Sequence, residues 1–340
     1  MARNAIIPIF IPHLGCPNDC VFCDQRSISG QAAAPSPADV AAAIETGLAR
    51  PAARQTRPEV AFYGGSFTAI APEAQEAYLA AAEPFLRTGA LASIRVSTRP
   101  DAIDASVLAR LAWFGVRTIE LGAQSMDDAV LCASRRGHTA ADTLRAAKLV
   151  RAAGFSLVLQ MMVGLPGDSA DGAVATAEAL ADLNPDGVRI YPTVVLAGTA
   201  LEALWRSGRY EPLTPDTAAE ICARLIAVFS AREIPILRVG LNESELLASK
   251  AVAGAYHPAL GELCYARWYL HRMRAILAKM PDAAAVSVRV SGPRASVAAG
   301  HKRANLCALQ SEFPNLRVIR IEPVLSAPDA IEIVQIDAPR

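Results

Sequence analysis

The sequence lacks an excess of charge of either sign and has few charged residues altogether. It holds 33 Lys and Arg residues against 33 Asp and Glu residues, a formal net charge of +0 at pH 7. No global electrostatic field therefore favours a nucleic acid or a membrane surface as a partner. Charged residues make up 19% of the chain and hydrophobic residues 52%. This composition excludes a disordered chain and predicts a globular protein with a sizeable core.

The sequence also lacks a long apolar segment. No uninterrupted apolar run approaches the roughly 18 residues of a membrane span, so we expect no membrane partner. The N-terminal segment carries one Arg and a short apolar run broken by Pro8 and Pro12, which predicts a first strand rather than a signal peptide. Without an export signal we expect a cytoplasmic protein. In that reducing compartment, a metal site or buried thiols explain seven cysteines better than disulfides do.

Short apolar runs alternate with longer amphipathic segments from residue 5 to about residue 235, which predicts βα units and a parallel sheet. Six strands are predicted, over residues 5–11, 59–63, 93–98, 117–122, 156–163 and 187–191. Helices are predicted near residues 37–50, 72–87, 103–113, 139–153, 170–182 and 215–232. Two of them have an N-cap residue followed by proline, at Ser36-Pro37 and Thr214-Pro215. Periodicity does not decide between a partly closed barrel and an open, doubly wound sheet.

The order of predicted helices and strands changes after about residue 235. A helix over 261–280 is followed by short strands near 284–290, 316–322 and 331–335, with a helix over 301–312 between them. We therefore expect two domains, residues 1–240 and a small α+β appendage over residues 241–340. From residue 236 onward there are 13 basic and 9 acidic residues, a net +4, so the remainder carries −4. This asymmetry keeps a nucleic-acid partner open.

Three cysteines follow the first predicted strand directly. Cys16, Cys20 and Cys23 form a C-x3-C-x2-C run, and three thiolates on one loop suit a soft metal centre. An iron–sulfur cluster with three protein ligands would keep one iron open for a further ligand. Zinc is the alternative, with His13 as the fourth ligand of a closed site. A position at the carboxyl end of a parallel strand favours a reactive centre over a structural one.

The other four cysteines show no ligand spacing, and we expect them to be buried free thiols. They are Cys132, Cys222, Cys264 and Cys307.

Polar and glycine-rich motifs also stand at the ends of the later predicted strands. They are YGGSFT at 63–68, STRPD at 97–101, ELGAQS at 120–125, SRRGHT at 134–139, QMMVGLPGD at 160–168 and RIYPT at 189–193. Together with the three cysteines and Phe22 before the last of them, this order of motifs resembles the radical S-adenosylmethionine (SAM) superfamily. The resemblance covers most of residues 5–245. It implies an α/β fold, a partial (β/α)6 TIM-like barrel with the α+β appendage at its C-terminal end.

The resemblance also implies cofactors and the residues that hold them. Cys16, Cys20 and Cys23 would bind three irons of a 4Fe-4S cluster, and SAM would chelate the fourth. The residues that match the SAM-binding motifs are Phe22, Gly64, Gly65, Ser66, Ser97, Thr98, Gln124, Arg136 and Gln160.

Several of these residues also have a plainer interpretation. The Gly64-Gly65 pair allows the backbone to approach a ligand, and it could equally form a tight turn. Arg136 would pair with the SAM carboxylate, and it could equally belong to a solvated basic helix end. Gln124 and Gln160 would bind ribose hydroxyls, and neighbouring backbone could satisfy them instead.

Within the superfamily, the sequence resembles the radical-SAM domain of the elongator catalytic subunit and its smaller bacterial relatives. Oxygen-independent coproporphyrinogen III oxidase is a more distant match, because that family has acidic residues where Ser97 and Gln160 stand here. The acetyltransferase domain of elongator has no counterpart in the residues after 245, so acetyl transfer is not implied.

The resemblance implies reductive cleavage of SAM to a 5′-deoxyadenosyl radical that abstracts hydrogen from an unidentified substrate. It also implies an external electron donor of the flavodoxin or ferredoxin kind. A radical-SAM enzyme that modifies transfer RNA is one alternative. A zinc-stabilised RNA-binding module is another, from a different functional class.

Overall fold

A parallel sheet of seven strands, curled into a half-barrel, forms the centre of the fold. The computed structural model describes residues 5–24, 33–51, 56–242, 244–327 and 329–337. The strand order is β1-β2-β3-β4-β5-β6-β8. These strands are β1 (Ile6–Phe10), β2 (Glu59–Tyr63), β3 (Ser93–Thr98), β4 (Val116–Gln124), β5 (Ser156–Val163), β6 (Gly187–Pro192) and β8 (Ile236–Val239). The prediction of an α/β half-barrel is confirmed.

Helices connect these strands and cover the outside of the sheet. They are α1 (Pro37–Leu48), α2 (Pro72–Arg87), α3 (Ala105–Trp113), α4 (Asp128–Ala133), α5 (Ala140–Ala152), α6 (Ala170–Asp182), α7 (Ala200–Arg206) and α8 (Pro215–Ala231). The predicted caps of α1 and α8 are confirmed, because Ser36 accepts from the Asp39 N–H and Thr214 accepts from the Thr217 N–H.

Alternate residues of each strand point to opposite sides of the sheet. One side packs against the helices and is apolar, with Ile94 and Val96 of β3 and Ile119 and Leu121 of β4 in the core. The other side, in the hollow of the half-barrel, is polar along the middle strands. The core therefore lies between sheet and helices, and the hollow is left for a ligand.

The remaining described residues form two smaller sheets and four more helices. Strands β7 (Val194–Leu196) and β9 (Ala251–Gly254) pair antiparallel. In the C-terminal part, β10 (Ala285–Ser291) pairs parallel with β11 (Val318–Leu325) and antiparallel with β12 (Ile331–Gln335). The helices are α9 (Glu245–Lys250), α10 (Leu260–Leu277), α11 (Ala295–Ala299) and α12 (Ala304–Glu312). No helix among the described residues is long and apolar enough to cross a bilayer.

The structure contains elements that the sequence did not predict. Strand β8 is missing from the prediction because it has four residues, of which Ile236 alone is buried. The short elements β7, β9, α4, α7, α9 and α11 carry too few residues to show a period. The helix predicted to begin at residue 301 begins at Ala304, because Lys302 and Arg303 have φ angles of 50° and 64°.

The C-terminal part shares one core with the half-barrel. Helix α10 packs against α8, and both contribute to the same cluster of buried residues. The division of the chain at residue 240 therefore stays a prediction. Buried thiols are confirmed for Cys222 and Cys264, which share a hydrogen bond between these two helices.

For the other two cysteines outside the triplet, the prediction of burial is wrong. Cys132 and Cys307 are solvent-exposed. Each lies on a short helix whose buried side is formed by other residues, Val130 and Leu131 in α4 and Leu306 and Leu309 in α12.

Candidate active site

A cavity of about 600 Å³ occupies the hollow of the half-barrel. Its walls come from the carboxyl ends of the parallel strands and the loops that follow them, where α/β folds place their active sites. All twelve residues predicted from the sequence line it: Cys16, Cys20, Phe22, Cys23, Gly64, Gly65, Ser66, Ser97, Thr98, Gln124, Arg136 and Gln160. The fold thus brings together residues that the sequence spreads over 145 positions.

The cysteine loop after β1 is fixed first to the end of β2. The His13 N–H donates to the Gly64 carbonyl at 3.1 Å, and the Ser66 N–H donates to the Leu14 carbonyl at 2.9 Å. A Cβ on Gly65 would lie 2.3 Å from the Leu14 carbonyl oxygen. The glycine is therefore required where the protein's own loop approaches, a reason that differs from the predicted approach of a ligand. Gly64 has a φ of +90°, which suits the tight turn.

The same loop is fixed a second time to the segment after α4. The Val21 N–H donates to the Ser134 carbonyl at 3.2 Å, and the Asn18 side-chain amide donates to the Arg136 carbonyl at 3.0 Å. Arg99 also donates to the Arg136 carbonyl, at 2.7 Å. Two separate parts of the barrel therefore hold the three cysteines in place.

The three cysteines differ in exposure. Cys20 is buried, Cys23 is intermediate and Cys16 is exposed. Desolvation and the neighbouring Cys20 raise the pKa of the Cys16 thiol, while Arg136 and Arg99 lower it. The guanidinium of Arg136 lies 3.4 Å from the Cys20 sulfur. A cationic side chain thus stands beside the thiols, while burial keeps the pKa of Cys16 above its usual value.

The chemistry of this donor set fits an iron–sulfur cluster. Within the described ranges, no group of three or more His, Cys, Asp and Glu side chains gathers around a point where it could hold a single metal ion. A four-iron cluster takes one thiolate per iron, so its cysteines stand apart around the cluster. Three thiols that line one cavity would supply one ligand to each of three irons.

Arg136 and Gln124 carry polar atoms that the described residues leave unsatisfied. Arg136 donates to the Gly122 carbonyl at 2.9 Å, and its buried Nε has no hydrogen-bond partner in the described part of the chain. The same holds for the buried Oε1 of Gln124, at the end of β4, where the backbone has a φ of 66°. Buried polar atoms normally have partners, so these two atoms point to a bound polar ligand.

Ser66 and Thr98 are engaged within the protein. Thr98 shares a hydrogen bond of 2.6 Å with the Thr68 hydroxyl, and Ser66 accepts from the Arg99 N–H at 3.1 Å. Both residues are buried. Their side chains therefore connect β2 to β3. Phe22 packs against a small apolar cluster that includes Leu201.

The amide of Gln160 has a partner that the sequence did not reveal. It donates to the Glu120 carboxylate at 2.7 Å and approaches the Ser97 hydroxyl at 3.5 Å. Neither a ribose hydroxyl nor the backbone is needed to satisfy this N–H group.

Glu120 is the centre of a buried charge network in the hollow of the half-barrel. Its carboxylate is fully buried and accepts from Arg95 at 2.7 Å, from Arg189 at 2.9 Å and from the Tyr63 hydroxyl at 3.2 Å. Burial alone would raise the pKa of Glu120, but Arg189 and Arg95 lower it below its usual range. Arg95 is also paired with Glu59 at 2.6 Å. The network therefore fixes charged side chains from β2, β3, β4 and β6.

Sequence reasoning overlooked this network, although a signal for it exists. Arg95, Glu120 and Arg189 stand inside predicted strands, at alternate positions that would all face the same side of a parallel sheet. Charged residues in strands with apolar neighbours require partners. The network was therefore open to prediction once the strands were assigned to one sheet.

His138 is a further buried polar residue near the site. Its Nε2 donates to the Ala123 carbonyl at 3.1 Å, and its Nδ1 is buried without a partner among the described residues. Burial, with Arg136 nearby, lowers the pKa of His138 to about 4. The imidazole is therefore neutral at neutral pH.

Comparisons with known proteins match this description. Residues 10–180 match the radical SAM superfamily, and residues 185–272 match the radical SAM C-terminal domain. The chain is 31% identical to elongator complex protein 3 of Bos taurus over 177 residues, which covers 51% of this chain and 32% of that protein. It is 33% identical to the tRNA uridine(34) acetyltransferase of Dehalococcoides mccartyi (strain CBDB1) over 162 residues, which covers 44% of this chain and 35% of that protein.

A solved structure shares the fold. The archaeal Elp3 of Methanocaldococcus infernus superposes with a TM-score of 0.60 at 23% identity, covering 79% of this chain and 63% of that one. The matched region spans about a third of the length of the two curated relatives.

Proposed function

Because the chain belongs to the radical SAM superfamily and is an enzyme, we propose that it cleaves SAM reductively. The 4Fe-4S cluster that this family implies would be held by Cys16, Cys20 and Cys23. When bound, the cluster supplies the electron that splits SAM into methionine and a 5′-deoxyadenosyl radical, which abstracts hydrogen from an unidentified substrate. The observation that carries the proposal is the single cavity on which the three thiols and all predicted SAM contacts lie.

The residues of the cavity have distinct roles in this proposal. Arg136 is held by the Gly122 carbonyl and directs the rest of its guanidinium at the carboxylate of SAM. The free Oε1 of Gln124 accepts from a hydroxyl of the ribose. Glu120 and its arginines hold the Gln160 amide in one orientation. The walls keep water away from the reacting atoms, which is the usual contribution of the protein in radical chemistry.

Metal analysis and SAM cleavage test the proposal together. Anaerobically reconstituted protein should be brown, contain about four irons per chain, and form 5′-deoxyadenosine from SAM with dithionite. Cys20→Ala should reduce that yield to background. Cys307→Ala is the matched control, because this cysteine is exposed on α12 and away from the cavity, and it should keep the wild-type yield.

Two results would overturn the assignment. One is an unchanged yield in Cys20→Ala. The other is a colourless protein with one zinc and no iron, which would support the zinc-stabilised RNA-binding module instead. An external donor of the flavodoxin or ferredoxin kind is also part of the proposal, and replacing dithionite by each reduced protein in the same assay tests it.

Transfer RNA is a candidate for the substrate, which the proposal above leaves unidentified. It is supported by the relative whose name gives a tRNA uridine as its substrate, and by the net positive charge after residue 236. Acetyl transfer is not part of this proposal, since the match covers about a third of that relative.

A gel-shift experiment with bulk tRNA tests this candidate. Lys302→Gln/Arg303→Gln removes two exposed charges of the C-terminal part and should weaken binding. Arg87→Gln/Lys148→Gln removes two exposed charges from helices of the half-barrel and should leave binding unchanged. If wild-type protein binds no tRNA at low salt, the candidate is wrong.

A further inference from the structure

One cationic side chain of the cavity is left without a role by the proposed function. Arg238, on β8, lines the cavity and is held by two backbone carbonyls. Its Nε donates to the Gly240 carbonyl at 2.9 Å, and its Nη2 donates to the Leu241 carbonyl at 3.0 Å. These bonds fix the direction of the guanidinium and leave Nη1 with no hydrogen bond to the described residues.

The arginines of the cavity wall fall into two pairs. Arg99 and Arg189 are neutralised, by Asp101 at 2.6 Å and by Glu120 at 2.9 Å. Arg136 and Arg238 form no ion pair within the part of the chain that the structure describes. Burial lowers the pKa of Arg238, and the ionisable groups that act on it are Tyr191 and Arg189, neither of which is a carboxylate. A partly buried cation without a carboxylate is costly unless an anion binds to it.

The two unpaired arginines are held by different strands, Arg136 by the Gly122 carbonyl of the central strand β4 and Arg238 on β8 itself. Arg136 touches Cys20 on the loop that follows β1, and the proposed function gives it the carboxylate of SAM. Arg238 stands on β8, the edge strand at the other end of the sheet. One anion accounts for one of these cations. The second cation calls for a second anion, bound at β8.

The surroundings of Arg238 suit an oxyanion. Tyr191, Asn242 and Ser244 line the same cavity and carry polar side chains. Burial raises the pKa of Tyr191, so its hydroxyl keeps its proton. The strand at the opposite edge is apolar, since β1 lines the cavity with Ile6, Pro8 and Phe10. Ile6 is 38% exposed, although it lies in a strand of the central sheet.

We propose that Arg238 binds a carboxylate or phosphate group of the substrate, whose apolar part lies against the inner face of β1. A guanidinium binds both groups through paired N–H donors, so the chemistry of the site is the same for either source. That the anion belongs to the substrate rests on the proposed function. The presence of an anion site at Arg238 stands on the contacts and charges described above.

Chemical modification of arginine tests the site in the intact, cluster-loaded protein. The protein is treated with phenylglyoxal in the presence of SAM, and the modification rate of each arginine is followed by mass spectrometry. Inorganic phosphate and acetate are added separately as probes, with chloride at matched ionic strength as the reference. Arg320, which is exposed on β11 and outside the cavity, is the internal control.

An anion bound at Arg238 should slow its modification roughly tenfold at about ten times the dissociation constant, as simple occupancy requires. Arg320 should react at the same rate throughout. Protection by phosphate alone indicates a phosphate-bearing substrate, and protection by acetate alone indicates a carboxylate. Equal rates at Arg238 with and without either anion would overturn the proposal, as would equal slowing at Arg320. A wild-type protein that forms no 5′-deoxyadenosine would overturn the proposed function and leave this result standing.

Discussion

Glu120→Gln would remove the carboxylate that two arginines share in the hollow of the half-barrel. The carboxylate is fully buried and accepts from Arg95 at 2.7 Å, from Arg189 at 2.9 Å and 3.1 Å, and from Tyr63 at 3.2 Å. Glutamine preserves the shape of the side chain and one acceptor oxygen. It removes the charge and places an N–H₂ group among the donors of its neighbours.

The expected loss of stability follows from what each arginine retains. Arg95 keeps its second carboxylate, Glu59, at 2.6 Å. Arg189 has no second carboxylate among the described residues and becomes a buried charge without a counter-ion, although it still donates to the Tyr63 hydroxyl at 3.1 Å. Removing one member of a buried ion pair costs about 3 to 5 kcal/mol. Because one of the two arginines remains paired, we expect the lower end, about 3 kcal/mol of unfolding free energy.

Equilibrium urea denaturation of wild type, Glu120→Gln, Arg189→Met and the double variant measures this loss. The double variant removes both the carboxylate and its unpaired partner, so it should be more stable than the sum of the single losses predicts. We expect a coupling of about 2 kcal/mol, in the range found for residues in one network. A loss below about 1 kcal/mol for Glu120→Gln, or strictly additive losses, would refute the role assigned to this network.

Three further predictions concern the surroundings of the cysteine loop. The folded-state pKa of His138, about 4, lies below its unfolded value. Wild-type stability should therefore fall as the pH drops from about 6.5 towards 4, by up to about 3 kcal/mol, and His138→Gln should lose this pH dependence in denaturation curves. In Gly65→Ala, the new Cβ would displace the Leu14 carbonyl, so iron retention should fall and stability should drop by about 1 to 3 kcal/mol. In Arg136→Gln, equilibrium dialysis should show SAM affinity weakened about 10- to 100-fold, and unchanged affinity would contradict its assignment to the carboxylate.

The sequence was sufficient to predict the features that depend on contiguous residues. Six of the seven central strands and the caps at Ser36 and Thr214 are encoded in short segments, and the structure confirms them. The cysteine triplet was equally visible, because its three members lie on one loop. The motifs at successive strand ends meet at one cavity because parallel strands present their carboxyl ends on the same side of the sheet.

Features that depend on pairing between distant residues were not predicted, because they follow only once the strands are assigned to one sheet. Glu120 pairs with Arg95, 25 residues before it, and with Arg189, 69 residues after it. The reason for Gly65 lies in a carbonyl of the cysteine loop, about 50 residues earlier. Local patterns do not reveal which strand neighbours which, so the contacts of Gly65 with the cysteine loop and of Gln160 with Glu120 were not predicted, and their contacts with SAM stay a prediction.

The polar interior of the half-barrel has a consequence for attempts to redesign its specificity. Charged residues of the middle strands are fixed to one another, from Glu59 through Arg95 and Glu120 to Arg189. A substitution there would remove a partner from residues on neighbouring strands. The two edge strands, β1 and β8, present Phe10 and Arg238 to the same cavity outside this network. A library confined to the edges would therefore vary the shape and charge of the ligand while the catalytic frame keeps its geometry.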